Sequence, residues 1–331
     1  MIAGIIITHT SCSEKMEPVS KEGYYLDTVC NITVYSMEGG GSQEAAEKVI
    51  DGAYKVCADY EKKLSKTIPE SEIYQINHSG GAAVAVDDET AALINKAVDY
   101  GKLSKGQFDV TIGRASDLWN FQTETPSLPD DAKLKAVLPH IDYRNIKVDG
   151  NKVSLTDPES EIDLGGIAKG YIADKMADYM EKNKVTGAVI NLGGNVYALG
   201  YKDGKSQPFK IGIRKPFDNE GNVVGAVEVG NKTVVTSGSY ERGFKKDGVL
   251  YHHILDPKTG YPKNSGLASV TIIGGKDKSV DCDALATICF MLGPEEGMKL
   301  INGMKDYQAL FVTEDGKQLK SDNLEGFSPS N

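Results

Sequence analysis

The stretch EIDLGGIAKGYIADKMADYME, Glu161 to Glu181, decides how the chain is read. Ile162 and Leu164 flank Asp163 in an apolar alternation, as at the end of a strand. Gly165 and Gly166 then permit a tight turn that a Cβ would obstruct. Beyond it, Ile167, Ile172, Met176 and Met180 recur at roughly helical spacing, which predicts a helix beginning near Ile167. A strand, a glycine turn and a helix N-terminus together aim unpaired N–H groups at one point, where an anion is stabilised. Lys169 adds a full positive charge in the first turn. Close strand–helix packing explains a Gly-Gly pair equally well, so the rest of the chain has to decide.

Working outward, the 331 residues are 40% hydrophobic and 25% charged, an ordinary globular balance that buries one large core or two smaller ones. The formal charge is −10, with both signs interspersed. Non-specific nucleic-acid binding needs clustered Lys and Arg to displace counterions, so that class is excluded. An acidic protein that holds a phosphorylated ligand must supply local positive charge from a metal, a lysine or a helix end. The five cysteines, Cys12, Cys30, Cys57, Cys282 and Cys289, form no C-x-x-C pair, and their odd number argues against a disulfide framework.

At the start, the apolar run Ile2–Ile7 leads through His9-Thr10-Ser11-Cys12-Ser13 into a polar segment, Glu14 to Glu22. This is like the end of a bacterial lipoprotein leader, although the run is short and no Lys or Arg precedes it. The expectation is a signal and tether over 1–22, lipid anchoring at Cys12, and a site of action on the extracytoplasmic face of a bacterial membrane. No other segment approaches the roughly 20 apolar residues of a membrane span.

Taken in order, Tyr24–Tyr35 reads as one strand. Ser42 is placed to cap a helix over 43–64. Shorter helices are predicted at 71–77, 88–104 and 133–138, with a polar loop at 122–132. Trp119, the only tryptophan, reads as a core anchor. Asp149-Gly150 predicts a hairpin between 146–148 and 152–156. Further strands are expected at 188–199, broken by Gly193-Gly194, then at 209–213, 223–229, 232–236 and 268–273. Another strand ends in the Pro/Gly turn at 257–262, and a helix covers 279–292. Asp281 reads as that helix's cap. Asp283 and Thr287 fall on one face of it, and a carboxylate, a hydroxyl and a glycine-turn carbonyl make the all-oxygen donor set that magnesium prefers.

Six blocks in this chain resemble the ApbE-type FAD:protein FMN transferases. They are Phe108–Gly113 (FDVTIG), Asp163–Gly170 (DLGGIAKG), Asn191–Asn195 (NLGGN), Thr236–Arg242 (TSGSYER), His253–Pro257 (HILDP) with Thr259-Gly260, and Asp283–Thr287 (DALAT). They stand in the family's order over about 24–315. The resemblance implies Asp283 and Thr287 as side-chain ligands of Mg²⁺, with the Gly166 carbonyl completing the protein's share. It implies FAD contacts at Leu26, Gln107, Phe108, Asp109, Asp163, Lys169 and Ile254. Thr67 stands where the family often has an aromatic residue.

The fold implied is α/β (α+β): one domain over 23–331, mixed but mostly antiparallel sheets with packed helices, and two lobes around an FAD cleft. The reaction implied is Mg²⁺-dependent transfer of FMN from FAD to a Ser or Thr hydroxyl of an acceptor protein of a membrane redox complex, with release of AMP. His253 is the candidate general base, because imidazole titrates near neutrality; a structural histidine, or His252 in its place, is the competing reading. An FAD pyrophosphatase and a non-catalytic FAD-binding lipoprotein are the alternatives for the whole. An FAD-dependent oxidoreductase is disfavoured, since no G-x-G-x-x-G follows the first strand.

Overall fold

A computed structural model describes residues 16–119, 121 and 126–330, so Cys12 and the proposed leader before it lie outside the described residues. The first element differs from expectation. In place of one strand there is a hairpin, β1 (Val19–Tyr25) and β2 (Thr28–Met37), with Tyr25 facing Thr28 across the turn. The strand β1 therefore begins inside the stretch read as tether. Leu26 and Asp27 both adopt a left-handed backbone, φ 55°, at a cost of roughly 1–2 kcal/mol each for residues carrying a Cβ. Distant contacts offset it. The Leu26 N–H donates to Glu61 Oε1 at 2.7 Å, and Arg242 Nη2 donates to the carbonyls of Leu26 and Asp27 at 3.1 and 3.2 Å. No local glycine or proline announces this turn.

Next come α1 (Gln43–Leu64), where Ser42 Oγ accepts from Ala45 N as its expected cap, and α2 (Glu72–Asn77), where Ser71, read as the first helical residue, is instead the cap and accepts from Tyr74 N. Then follow β3 (Val84–Ala85), α3 (Asp88–Leu103), α4 (Gly113–Trp119), α5 (Asp131–Val137), β4 (Ile146–Asp149) and β5 (Lys152–Leu155). Trp119 is fully buried and donates Nε1–H to the Gly260 carbonyl at 2.7 Å, so it is the anchor expected. The helix α6 (Ala168–Lys182) starts where the glycine turn places it. The strands β6 (Val185–Leu192) and β7 (Asn195–Gly200) then form a hairpin, with Gly193 and Gly194 at φ 62° and 95°.

The remainder comprises β8 (Phe209–Arg214), β9 (Val223–Val229), β10 (Lys232–Gly238), β11 (Gly243–Lys246), β12 (Val249–His252), β13 (Leu267–Gly274), α7 (Ser279–Asn302), β14 (Tyr307–Thr313), β15 (Gln318–Lys320) and β16 (Phe327–Pro329). Where 279–292 was expected to end, α7 breaks at Gly293 (φ 81°, ψ −179°) and restarts with Pro294.

One eight-stranded sheet, in the order β1-β2-β6-β7-β10-β13-β14-β15, organises the molecule, and every pairing in it is antiparallel. Alternate residues of its strands enter different cores, as a period of two requires. Val235, Ile272, Ala309 and Phe311 pack under α7 and α3, whereas Val234, Ile273 and Leu310 pack against the three-stranded sheet β16-β9-β8. At the other end, Ile32, Val34 and Ile190 pack on α1 and α6. The first half of α7 is apolar nearly all round and buried, as a helix enclosed by other elements must be. The strands β3, β5 and β4, with the helices α2 to α5, make a second lobe, and the cleft opens between it and the large sheet.

Candidate active site

The floor of the cleft is the joint between α6 and α7. A Cβ on Gly170 would lie 2.2 Å from the Ser279 carbonyl oxygen, so only glycine allows the helices to cross this closely. Across the joint each helix satisfies the other's orphan N–H groups. Asp283 Oδ2 accepts from Gly170 N at 2.8 Å, while Asp174 Oδ1 and Oδ2 accept from Ser279 N at 3.1 Å and Val280 N at 3.0 Å. Asp281, read as the α7 cap, does something else. It is buried and gathers Lys96, Tyr100 Oη at 2.7 Å and Tyr307 Oη at 3.0 Å, tying α3 and β14 to the helix.

Thr287 stands one turn beyond Asp283, with its Oγ1 3.4 Å from Ser237 Oγ of β10. A Cβ built on Gly166 would come within 3.9 Å of Thr287 Oγ1 and 3.0 Å of the Phe108 ring. The structure thus brings Gly166, Asp283 and Thr287 together from segments far apart in sequence. Among the described residues no group of three His, Cys, Asp or Glu side chains converges on a metal position. A divalent ion here would rest on one carboxylate, hydroxyls and a carbonyl, and this all-oxygen set suits magnesium. Lys169 Nζ lies 3.3 Å from the Gly165 carbonyl and 3.9 Å from Asp283 Oδ1, which supplies the positive charge an acidic chain needs for a diphosphate.

Above this floor is a cavity of about 930 Å³, and His253 and every residue that the resemblance assigned to metal or flavin, from Leu26 to Thr287, line it. The lining positions differ in what they offer. Gln107 Oε1 is buried and has no protein partner, so it is an acceptor free for a ligand donor. Phe108 presents its ring edge to Gly166. Asp109 is held by its own lobe: Thr111 N and Oγ1 donate to Oδ1 at 2.9 and 2.6 Å, and Tyr143 N to Oδ2 at 2.9 Å. Its carboxylate therefore shapes the wall. Asp163 Oδ1 accepts from Gly165 N at 2.8 Å and closes the glycine turn. Ile254 adds apolar wall, and Thr67 contributes a hydroxyl, 3.0 Å from Ser65 Oγ, at its stretch of the lining.

Of the two histidines, His253 faces the cavity and His252 does not. His252 is buried edge-on against Phe290, with ring centroids 5.6 Å apart, and its Nδ1 accepts from Ile254 N. His253 Nδ1 lies 3.2 Å from the Arg242 carbonyl. Nδ1 must then carry the proton, which leaves the Nε2 lone pair free. Burial, reinforced by the charges of Arg242 and Lys169, pushes His253 down to about 3, so the near-neutral titration expected of it from the sequence is not met and the ring stands as a neutral acceptor at physiological pH.

Sequence reasoning missed several charged groups on the lining, among them Glu241, Arg242, Lys66 and Arg214. Glu241 and Arg242 stood inside a quoted block yet carried no assigned role. Burial pushes the Glu241 carboxyl up to about 7, against the pull of Lys169 and Arg242, and a Cβ on Gly194 would sit 3.6 Å from its Oε1. Lys66 reaches Asp117, Glu161 Oε1 at 3.3 Å and Asp163 Oδ2 at 3.7 Å, and Arg214 lies 5.7 Å from the Tyr240 ring. Lys66 and Arg214 belong to no motif, and nothing local marks them.

A glycine turn at the start of α6, a lysine and an oxygen-only donor set at one large cavity, within an antiparallel α/β frame, suit a phosphorylated ligand. The chain belongs to the ApbE family, whose family model matches residues 26–311. It is 33% identical over 316 residues to the FAD:protein FMN transferase of Treponema pallidum, spanning 91% of this chain and 86% of the relative. It is 37% identical over 270 residues to that of Klebsiella pneumoniae, spanning 81% and 83%. The crystal structure of the ApbE protein from Thermotoga maritima superposes with a TM-score of 0.83 at 32% identity, covering 92% of this chain and 97% of that one. The flavin transferase ApbE from Vibrio cholerae does so with 0.82 at 28%, covering 94% and 99%.

Proposed function

We propose that the protein transfers FMN from FAD to a Ser or Thr hydroxyl of an acceptor protein and releases AMP. The observation that carries this reading is the convergence of Gly166, Asp283 and Thr287 beneath a dinucleotide-sized cavity, in a chain whose curated relatives are FAD:protein FMN transferases. Asp283, Thr287 and the Gly166 carbonyl would hold Mg²⁺, which when bound neutralises charge on the diphosphate.

The chain's own groups do the rest. Lys169, at the floor of the cavity, binds the diphosphate. Gln107, Phe108 and Ile254 seat the rings. His253 Nε2, held in its tautomer by the Arg242 carbonyl, takes the acceptor hydroxyl proton. The hydroxyl oxygen forms a bond to the FMN-side phosphorus as the bridging P–O bond breaks, and that electron pair leaves with AMP.

The acceptor belongs to a membrane redox complex, and lipidation of Cys12 holds the enzyme on the extracytoplasmic face. The leader-like 1–22 segment supports that placement, and no described helix is long and apolar enough to cross a membrane. The test is incubation of the full chain with FAD, Mg²⁺ and an acceptor protein. In-gel flavin fluorescence and one AMP per label are the expected result. Rapid FMN and AMP release without acceptor would make the protein a pyrophosphatase, and retained, unprocessed FAD would make it a carrier.

A further inference from the structure

The exchange of carboxylates at the floor is unequal. Asp283 faces the cavity, whereas Asp174 does not line it and sits behind the joint, in a shallow hollow of about 210 Å³. Nothing on α7 itself replaces Asp174, because the N-cap residue Lys278 makes no side-chain cap bond. The other ties of the first turn of α7 run to other elements and not to α6: Ser279 Oγ to Asn195 Oδ1 at 2.8 Å and Thr233 Oγ1 at 3.0 Å, and Asp281 to Lys96, Tyr100 and Tyr307.

We infer that Asp174 is a positioning residue for the reaction: by holding the Ser279 and Val280 N–H groups it fixes α7 on α6, and so sets where Asp283 and Thr287 stand relative to the Gly166 carbonyl. This rests on the reading of those three as the divalent-ion site. The glycine turn is rigidly continuous with α6, while Asp283 and Thr287 belong to α7. A shift of one helix along the other therefore alters the spacing between donors directly. Magnesium demands near-ideal geometry at about 2.0–2.1 Å from each oxygen, so it registers a small shift that a flexible dinucleotide absorbs. The cavity walls at 107–109 and 254 lie outside both helices of the joint. Loss of Asp174 accordingly falls on metal affinity and spares metal-free flavin binding.

The experiment compares the full chain with its Asp174→Asn, Asp174→Ala and Asp283→Ala variants. Mn²⁺ binding in the presence of FAD is followed by electron paramagnetic resonance, and FAD binding without metal by flavin fluorescence. Circular dichroism checks the fold. Both Asp174 variants are expected to bind Mn²⁺ about tenfold or more weakly, the usual effect of losing a group that orients a ligand, with FAD affinity within about twofold. If Asp174→Ala does not fold, Asp174→Asn, which keeps the shape, decides. Wild-type Mn²⁺ affinity in the Asp174 variants, with loss in Asp283→Ala, overturns the inference alone. Wild-type Mn²⁺ affinity in Asp283→Ala overturns the site reading beneath it.

Discussion

The floor and the rim of the same cavity are built on opposite plans. At the floor, α6 and α7 meet backbone to backbone over Gly170, and carboxylates are locked against helix N–H groups within about 3 Å. At the rim, the Leu26-Asp27 turn holds a left-handed backbone through one glutamate and one arginine reaching in from elsewhere. The floor is therefore a fixed constellation, whereas the rim depends on a few long side chains. Preorganised donors belong where charge develops, and adaptable groups belong where a large substrate and a protein acceptor must enter.

The largest effect that tests this contrast comes from Asp283→Ala. It should reduce acceptor labelling by about a thousandfold or more, since it removes the carboxylate of the proposed ion site; full labelling by in-gel fluorescence would end the assignment. His253→Ala should follow, with a loss of about 10²–10⁴ in kcat. Because burial, with Arg242 and Lys169, already pushes His253 down to about 3, the wild-type rate should show no step at the usual histidine range. A histidine-like acid limb in the kcat/KM profile would contradict that environment. Gly170→Ala should destabilise the joint by roughly 1–3 kcal/mol through overpacking, read as a fall in the denaturation midpoint. At the rim, Arg242→Ala should cost only about 1 kcal/mol of stability and act mainly on the KM for FAD. A rim variant as damaging to kcat as a floor variant would erase the distinction.

The smallest effect concerns pH. Burial holds His252 at about 4 and His253 at about 3, below the 6.5 of an unconstrained histidine. Between those values the unfolded chain binds protons that the folded chain refuses, so their contribution to stability is lost as pH falls from about 6.5 toward 4. Asp174 and Glu241, pushed up to about 7 by burial, work in the opposite direction over the same range. The informative measurement is therefore the difference in melting temperature between wild type and His252→Phe across that range. The Phe variant keeps a ring against Phe290, and the gap should narrow or reverse as the solution is acidified.

The same division explains what was legible in the sequence. The floor announced itself through short-range signals: a Gly-Gly turn, a helical period from Ile167 to Met180, and Asp283 one turn before Thr287. The Ser42 cap was equally readable, because it acts within its own turn. The rim was not readable. The β1–β2 turn lacks glycine and depends on Glu61 and Arg242, so the alternation from Tyr24 to Tyr35 looked unbroken. Asp281 looked like a cap because acids favour helix starts, but its partners Lys96, Tyr100 and Tyr307 come from distant parts of the chain. Lys66 and Arg214 are set by tertiary placement alone.

The interruption of α7 at Gly293 has a mechanical consequence. With its hydrogen-bond ladder cut there, the helix is two short rods instead of one long lever. The outer rod, whose Glu295, Glu296 and Lys299 face solvent, folds Gly297 onto the backbone of the buried rod, where a Cβ would lie 2.8 Å from the Cys289 carbonyl oxygen, so the rod carrying Asp283 and Thr287 is braced from behind by its own continuation.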